Sequence, residues 1–353
     1  MGNDVYTLIT TMKNEGAFLV EWVAHHKVLG FDNLVICHND CEDTTAQMIK
    51  RLSKMGLCQG HPTRYRPGQS IQRRALRQAL QYDAVKTADW IYVCDADEFL
   101  ASRIGDGSAR DLVAAATPEV EAICVPWRTF GTGGQKEFRP GRITPQFTQA
   151  NATTGPKAIE YAFPKTLFRG DVVQHMRRLG VHTPVVKHDL GRELRREVPG
   201  GIPVEQGKSI LHVQADYSRA QVNHYQLRSM DSFLVKSARG KVNHVNDKME
   251  FGYWVRNDTN EEACDLIRRY DEAVEKWMAD LLSDQRLNTL HNRAVRWHEN
   301  KIAELHADPD FGQMIGRIEG HRARMAAGDA AEVEGKAYDG DADVGDEDEA
   351  DAA

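Results

Sequence analysis

The chain has 353 residues, 41% of them apolar, enough for one large domain or two ordinary ones with a real core. Its formal charge of -7 is uneven, because eleven acids against one lysine give residues 326–353 a net of -10 and leave about +3 on residues 1–325. So mildly basic a body suits an anionic ligand such as a nucleotide and is too weakly charged for a nucleic-acid binder.

DVYTLITTM (4–12) is β-rich and apolar, and KNEG breaks the run. AFLVEWVAHHKVLG (17–30) sets Phe18, Trp22, Val23 and Leu29 near helical spacing and stops at Gly30. FDNLVICHND (31–40) is a second strand, after which Asp43 is the expected N-cap of the helix TTAQMIKRLSKMG. A short third strand falls near 57–65, SIQRRALRQALQYDAVKTA (70–88) is a long amphipathic helix, and DWIYVCDADEFL (89–100) is the next strand. This β-α-β-α-β-α-β alternation predicts an α/β fold, with a mainly parallel central sheet flanked by helices and ligands bound at the carboxyl ends of the strands. TTMKNEG, CHNDCED and DADEF converge on that edge as one site. Beyond residue 101 the pattern loosens. EAICVPWRTFG (121–131) is a strand ending in a turn, 131–160 a long loop, and PKTLFRG (164–170) and SILHVQA (209–215) short strands. RSMDSFLVKSARGK and residues 261–326 are helical, and the acidic tail from about 328 is expected to be disordered.

Met1 leads straight into a strand-like run, with no basic n-region or apolar h-region, and no apolar stretch approaches the roughly 18 residues of a membrane span. Cys37, Cys41, Cys58, Cys94, Cys124 and Cys264 form no CxxC pair and lie mostly in apolar strands, as small core residues do. A reducing, cytoplasmic setting follows, in which Asn151-Ala-Thr and Asn257-Asp-Thr go unglycosylated.

Three acids, Asp95, Asp97 and Glu98, close an apolar run, and burying carboxylates costs several kcal/mol without a partner for their charge. In a strand Asp95 and Asp97 would point the same way, so both could reach one Mn²⁺ or Mg²⁺ that also binds a diphosphate. Such a cation meets the charge that develops on a departing nucleoside diphosphate. The alternative is that one acid caps a helix and another pairs with an arginine such as Arg103 or Arg128.

These residues match a known pattern. TTMKNEGAFLVEWVAHHKVLGFDNLVICHNDCEDTTAQMIKRL, then DWIYVCDADEFL, and later VNHYQLRSMDSFLVKSARG, resemble the family-2-like glycosyltransferases, in particular a bacterial branch with KNE…EW…H…LG and D-x-DEF motifs. The likeness covers residues 5–110 strongly and 120–245 more loosely. It implies a GT-A-type nucleotide-diphospho-sugar transferase fold with a catalytic domain over 1–245. Residues 1–110 would be its nucleotide-binding half and 111–245 its acceptor half, followed by a helical region over 246–327 and the tail. It implies transfer of a sugar from a nucleotide-sugar, by default a UDP-sugar, to a glycan or lipid-linked hydroxyl, usually with inversion. A lipid-linked acceptor would bring peripheral membrane contact, although no basic amphipathic helix marks one.

Carried over by position, Thr10 and the Lys13-Asn14-Glu15 turn would line base and ribose, as would Asn39 and Asp40. Relatives often have an acid where this chain has Cys37-His38. Glu15 is also what a helix N-terminus favours on its own. Arg73 and Arg74 open the helix before the acidic run, where one guanidinium fork would meet the diphosphate or both would face solvent. The resemblance brings a C-terminal histidine to the metal beside Asp95 and Asp97. His224 is the candidate, with Arg228 near the phosphates and His182, His188 and His212 as rivals. An inverting transfer needs a base near the acceptor hydroxyl. Relatives use an acid after the next strand, which this chain lacks, so beyond Asp97 the candidates are Glu137, Asp189 and Asp231. Trp127 and Phe130 would stack on the acceptor, with ordinary core as the other reading of Trp127.

Two rivals stay open: a nucleotidyltransferase, which would want a Gly-rich first loop that TTMKNEG lacks, and a binding protein on a decayed transferase fold. A haloacid-type phosphatase fails, since its nucleophile lies on the first strand and its Thr position holds Phe99.

Overall fold

The protein is described by a computed structural model over residues 4–64, 70–186, 192–204, 212–239 and 251–327. His188, Asp189, the acidic tail and the first half of SILHVQA lie outside the described residues.

Apolar side chains on consecutive positions of one strand must be buried on both faces of a sheet, and the first half of the chain is built that way. β1 (Tyr6–Met12), β2 (Asn33–His38) and β3 (Gln59–Pro62) pair in parallel, and β4 (Trp90–Val93) pairs in parallel on the other side of β1. Leu8, Leu34, Ile36 and Tyr92 belong to one core, while Ile9, Val35, Ile91 and Val93, one residue out of phase, belong to the other. The first core is closed by α1 (Leu19–Val28) and α2 (Thr45–Lys54), the second by α3 (Ile71–Ala79) and α4 (Asp83–Lys86).

The sheet continues through β5 (Glu98–Ser102), β6 (Ala122–Thr129), β9 (Pro164–Arg169), β12 (Arg196–Glu197) and β14 (Ala220–His224). Its order is β3-β2-β1-β4-β9-β6-β14-β5, with β12 beside β6. Only β9, against β4 and β6, and β5, against β14, run antiparallel. Three small antiparallel pairs decorate it: β7 (Gln149–Ala150) with β15 (Glu262–Ala263), β8 (Tyr161–Ala162) with β13 (Val213–Gln214), and β10 (Met176–Arg178) with β11 (Val185–Val186). A short α5 (Ala109–Ala114) precedes β6. α6 (Met230–Ala238) follows β14, and after it come α7 (Phe251–Asn257), α8 (Asp271–Leu282), α9 (Gln285–His306) and α10 (Pro309–Ala326). Val274, Leu281, Leu287 and Leu290 of α8 and α9 enter the same core as Trp22 and Val23 of α1. None of the described helices is long and apolar enough to cross a membrane.

Four expectations need correction. DWIYVCDADEFL is two strands, not one. Cys94 N–H makes the last bond to β1, at Ile9 O (3.0 Å), and Glu98 N–H then folds back to Asp95 O (3.2 Å), which sends β5 away to pair with β14. Asp95 and Asp97 are therefore set by a turn and not by strand alternation. The helix 70–88 breaks at residues 80–82, where Tyr82 is extended (ψ 138°) and stacks on His61 of β3 at 3.6 Å. Thr44, not Asp43, is the N-cap of α2, and the Asp43 carboxylate accepts from Thr45 N–H (2.8 Å) and Gly16 N–H (2.9 Å). The stretch 261–326 opens with β15 and a 3₁₀ turn, Leu266–Tyr270, before its helices begin.

The adjacent histidines of α1 are core residues. His25 Nε2–H donates to Leu100 O and His26 Nδ1–H to Trp22 O, each at 2.8 Å. Burial lowers His25 from 6.5 to about 4, so the folded protein keeps it neutral where the unfolded chain takes up a proton. Its contribution to stability is complete above pH 6.5 and is lost as pH falls toward 4, by up to about 1.4 kcal/mol per pH unit. His25→Gln, whose amide can still donate to Leu100, is expected to flatten the fall in urea midpoint across that window. Parallel curves for variant and wild type would mean that His25 titrates normally.

Candidate active site

Three loops leave the carboxyl ends of β1, β2 and β4, and α6 with the end of β14 closes over them. The backbone is strained there. Among the described residues, the non-glycines with positive φ are Asn14 (55°), Asp40 (40°) and Arg228 (59°), one from each of two strand-end loops and one from the turn before α6. Asn14 is suited to that conformation, and its Oδ1 accepts Glu42 N–H at 2.8 Å, tying the first loop to the second. Strain that the surroundings must hold in place is typical of functional sites.

Four acids here, Asp95, Asp97, Glu98 and Glu15, meet cations from distant sequence. Asp97 Oδ2 lies 2.6 Å from Lys236 Nζ, which also donates to Gln226 O (2.9 Å), while Asp97 Oδ1 lies 3.6 Å from His224 Nε2. Burial pushes the Asp97 carboxyl up, but Lys236, His224 and Arg228 outweigh it and hold the group well below the usual carboxylate range. His224 is pushed down by burial against the pull of Asp97, which leaves a neutral imidazole. Asp95 accepts from the fully buried Lys165 Nζ (2.6 Å) and from Gln72 Nε2 (3.0 Å). Glu98 lies beneath, wholly buried. Its Oε2 accepts Asp95 N–H (2.8 Å) and faces Lys165 at 3.3 Å, and burial raises its carboxyl to about 8.

Glu15 sits between two guanidinium groups, Arg228 at 2.9 Å and Arg239 at 2.6 Å. Burial raises it and the arginines lower it further, with a net fall. Arg228 also lies over the Phe18 ring at 3.8 Å, and Arg239 donates to Lys13 O. The segment around α6 thus brings Arg228, Lys236 and Arg239 to two buried carboxylates. Beside them stands an aromatic wall. Trp127 packs 4.3 Å from His224 and 5.0 Å from His182, and its Nε1 is buried without a hydrogen-bond partner among the described residues. A carboxylate held ionised beside a neutral imidazole, with Arg228, Lys236 and Arg239 gathered from the segment around α6, is equipped to bind a polyanion.

The model of glycosyltransferase family 92 matches residues 9–266, which hold every residue of this site. The chain belongs to glycosyltransferase family 92. No curated protein matches it. Among solved structures it is similar to S. aureus TarS, at 12% identity and a TM-score of 0.31, over 80% of this chain and 73% of that one. It is also similar to glucosyl-3-phosphoglycerate synthase from Mycobacterium tuberculosis in complex with Mn²⁺, uridine diphosphate and glucosyl-3-phosphoglycerate. That match has 12% identity and a TM-score of 0.26, covering 49% of this chain and 60% of the synthase. The chain thus spans less than two thirds of the synthase's length. The mainly parallel central sheet of this family 92 chain, with helices on both faces, is the α/β architecture expected from its sequence.

In this family 92 site the other residues singled out from sequence fall unevenly. Thr10 is buried near the end of β1, its hydroxyl without a hydrogen-bond partner among the described residues. Asn39, also buried, donates to the exposed Asp40 at 3.3 Å. Lys13 is half-buried, as are Arg73 and Arg74 in the first turn of α3. Phe130 is wholly buried against Tyr225 (4.7 Å), so it is core and offers no face to an acceptor. Asp231 has both oxygens engaged, one by Phe138 N–H (3.0 Å) and one by His306 Nε2 (2.7 Å), which pins α6 to the end of α9. Glu137 is exposed on the loop after β6, and His212 is exposed beside Phe163.

Sequence reasoning missed Gln72, Lys165, Lys236 and Arg239. Arg73 and Arg74 drew attention by charge, yet their neighbour Gln72 is the side chain that reaches Asp95. A signal for the lysines existed: Lys165 in FPKTLF and Lys236 in FLVKSA interrupt apolar runs, as the acids do in YVCDADEF.

Proposed function

We propose that this glycosyltransferase moves a sugar from a UDP-sugar to a hydroxyl of a glycan or lipid-linked acceptor, with a divalent cation and with inversion at the anomeric carbon. The observation that carries the reading is the buried, ionised Asp97 facing the neutral His224 at 3.6 Å, at the strand-end edge where Arg228, Lys236 and Arg239 gather.

The residues fit a cation of a particular kind. No group of three or more metal-ligating side chains occurs among the described residues. A site for an ion held by protein alone is thus missing from them. Mg²⁺ and Mn²⁺ are commonly held by one or two protein ligands together with water and substrate phosphate oxygens. Asp97 and His224 would be those ligands, while Asp95 stays with Lys165 and Gln72. Bound there, the cation would offset charge on the departing diphosphate.

The rest is done by this chain's own groups. Arg228 and Arg239 can turn a guanidinium fork from Glu15 to phosphate oxygens, since either anion satisfies it. Lys236, relieved of Asp97, is free to do the same as a point charge. Thr10, Asn14 and Asn39 supply hydrogen-bonding groups for base and ribose, and the Trp127 wall excludes water from the sugar. Titration calorimetry with UDP tests the reading. Wild type is expected to bind UDP with Mn²⁺ present and weakly or not at all without it, and Asp97→Ala to lose the metal-dependent part. Failure of the wild type to bind UDP, GDP or CDP under either condition would sink it.

A further inference from the structure

Glu137 is exposed and Asp231 has both oxygens engaged, so neither has the setting of a base, and residues 181–182 offer a different group. Three bonds converge on residues 181–182 from β9. Lys165 Nζ donates to Val181 O (3.1 Å), Thr166 Oγ1 to His182 O (2.7 Å), and His182 Nδ1 to Pro164 O (3.1 Å). A carbonyl oxygen only accepts, so Nδ1 carries the ring hydrogen and Nε2 is left with a bare lone pair. Burial first and Lys165 second push the ring down to about 3, so that lone pair is present at neutral pH. The ring packs 5.0 Å from Trp127, which also packs against His224, the residue that faces Asp97. Lys165, which ties Val181, also holds Asp95 at 2.6 Å. His182 is therefore fixed to the acidic turn through one connected set of bonds, with its basic nitrogen oriented by the other.

Resting on the transfer reading above, we infer that His182 is the general base of the reaction. Its Nε2 takes the proton of the acceptor hydroxyl as that oxygen attacks the anomeric carbon. The new carbon–oxygen bond forms as the bond to the diphosphate breaks. The bonding pair leaves with the nucleoside diphosphate, and the proton ends on the imidazolium. Asp95 favours that cation, opposing Lys165, and the arrival of an anionic diphosphate adds to the same pull.

The test uses the whole chain with Mn²⁺ and each of UDP-glucose, UDP-galactose and UDP-N-acetylglucosamine, with water as the acceptor and UDP release as the readout. Two variants separate catalysis from support: His182→Ala, and His182→Asn, whose amide can still donate to Pro164 O. Both are expected to release UDP about 100-fold or more slowly, with UDP affinity within about twofold of wild type and part of the rate restored by added imidazole. Release at the wild-type rate by His182→Asn, or loss of UDP binding in both variants, would make His182 a structural residue and overturn the inference alone. A wild type that binds no UDP, or hydrolyses none of the three donors, overturns it together with the donor reading.

Discussion

Lys165→Met is expected to destabilise the protein by about 3–5 kcal/mol, the usual cost of removing one partner from a buried ion pair. Methionine fills nearly the same volume, so little cavity forms and the loss is electrostatic. Lys165 is wholly buried, and its ammonium contacts Asp95 at 2.6 Å, Val181 O at 3.1 Å and Glu98 at 3.3 Å. Without it Asp95, a quarter exposed, is left ionised with no cation beside it, whereas Glu98, raised by burial to about 8, is neutral at pH 7 and loses little. The companion Lys165→Met/Asp95→Asn removes the paired carboxylate as well, and is expected to recover a large part of the loss. Urea unfolding with an unchanged m-value measures both. A single variant within about 1 kcal/mol of wild type would mean that Asp95 does not need this cation. The same variant also frees Val181, so a loosened His182 is a second consequence visible in the rate of UDP release.

Why that lysine went unseen shows where sequence reading stops. β1, β2 and β4 were legible because consecutive apolar residues with glycine- or acid-marked ends leave little choice in a two-faced sheet. The acids were legible too, since Asp95 and Glu98 stand out in an apolar run. Their neutralisation was not, because Lys165 arrives from 70 positions away and Lys236 from 139. Nor was the turn between β4 and β5 legible. The letters YVCDADEFL alternate as a strand would, and only the pairing of β5 with β14, over a hundred residues on, pulls Glu98 out of line. Phe130 failed for a related reason: an aromatic near a Gly-rich loop looks like a platform until Tyr225 is seen to cover it.

Asp97 and Lys236 form the pair on which fold and function part company. Asp97→Asn leaves an ammonium with only Gln226 O as a near partner, and Lys236→Met leaves a carboxylate with a neutral histidine at 3.6 Å. Each single change is expected to cost roughly 3 kcal/mol, the low end for a broken buried pair, because Lys236 keeps a little exposure through which to rehydrate. Asp97→Asn/Lys236→Met removes both charges with little change in shape, so its stability is expected to return close to wild type. Function should not follow. The double variant lacks the carboxylate that would hold the cation and the ammonium that would meet the diphosphate, and its UDP release is expected to stay about 1000-fold or more below wild type. Urea midpoints and UDP-release rates on the four proteins give both cycles at once. Recovery of activity along with stability would show that the pair is only an internal brace and that the donor binds elsewhere. Stability recovered with activity still lost would mean that two charges which cancel in the free enzyme are kept there for a ligand that separates them.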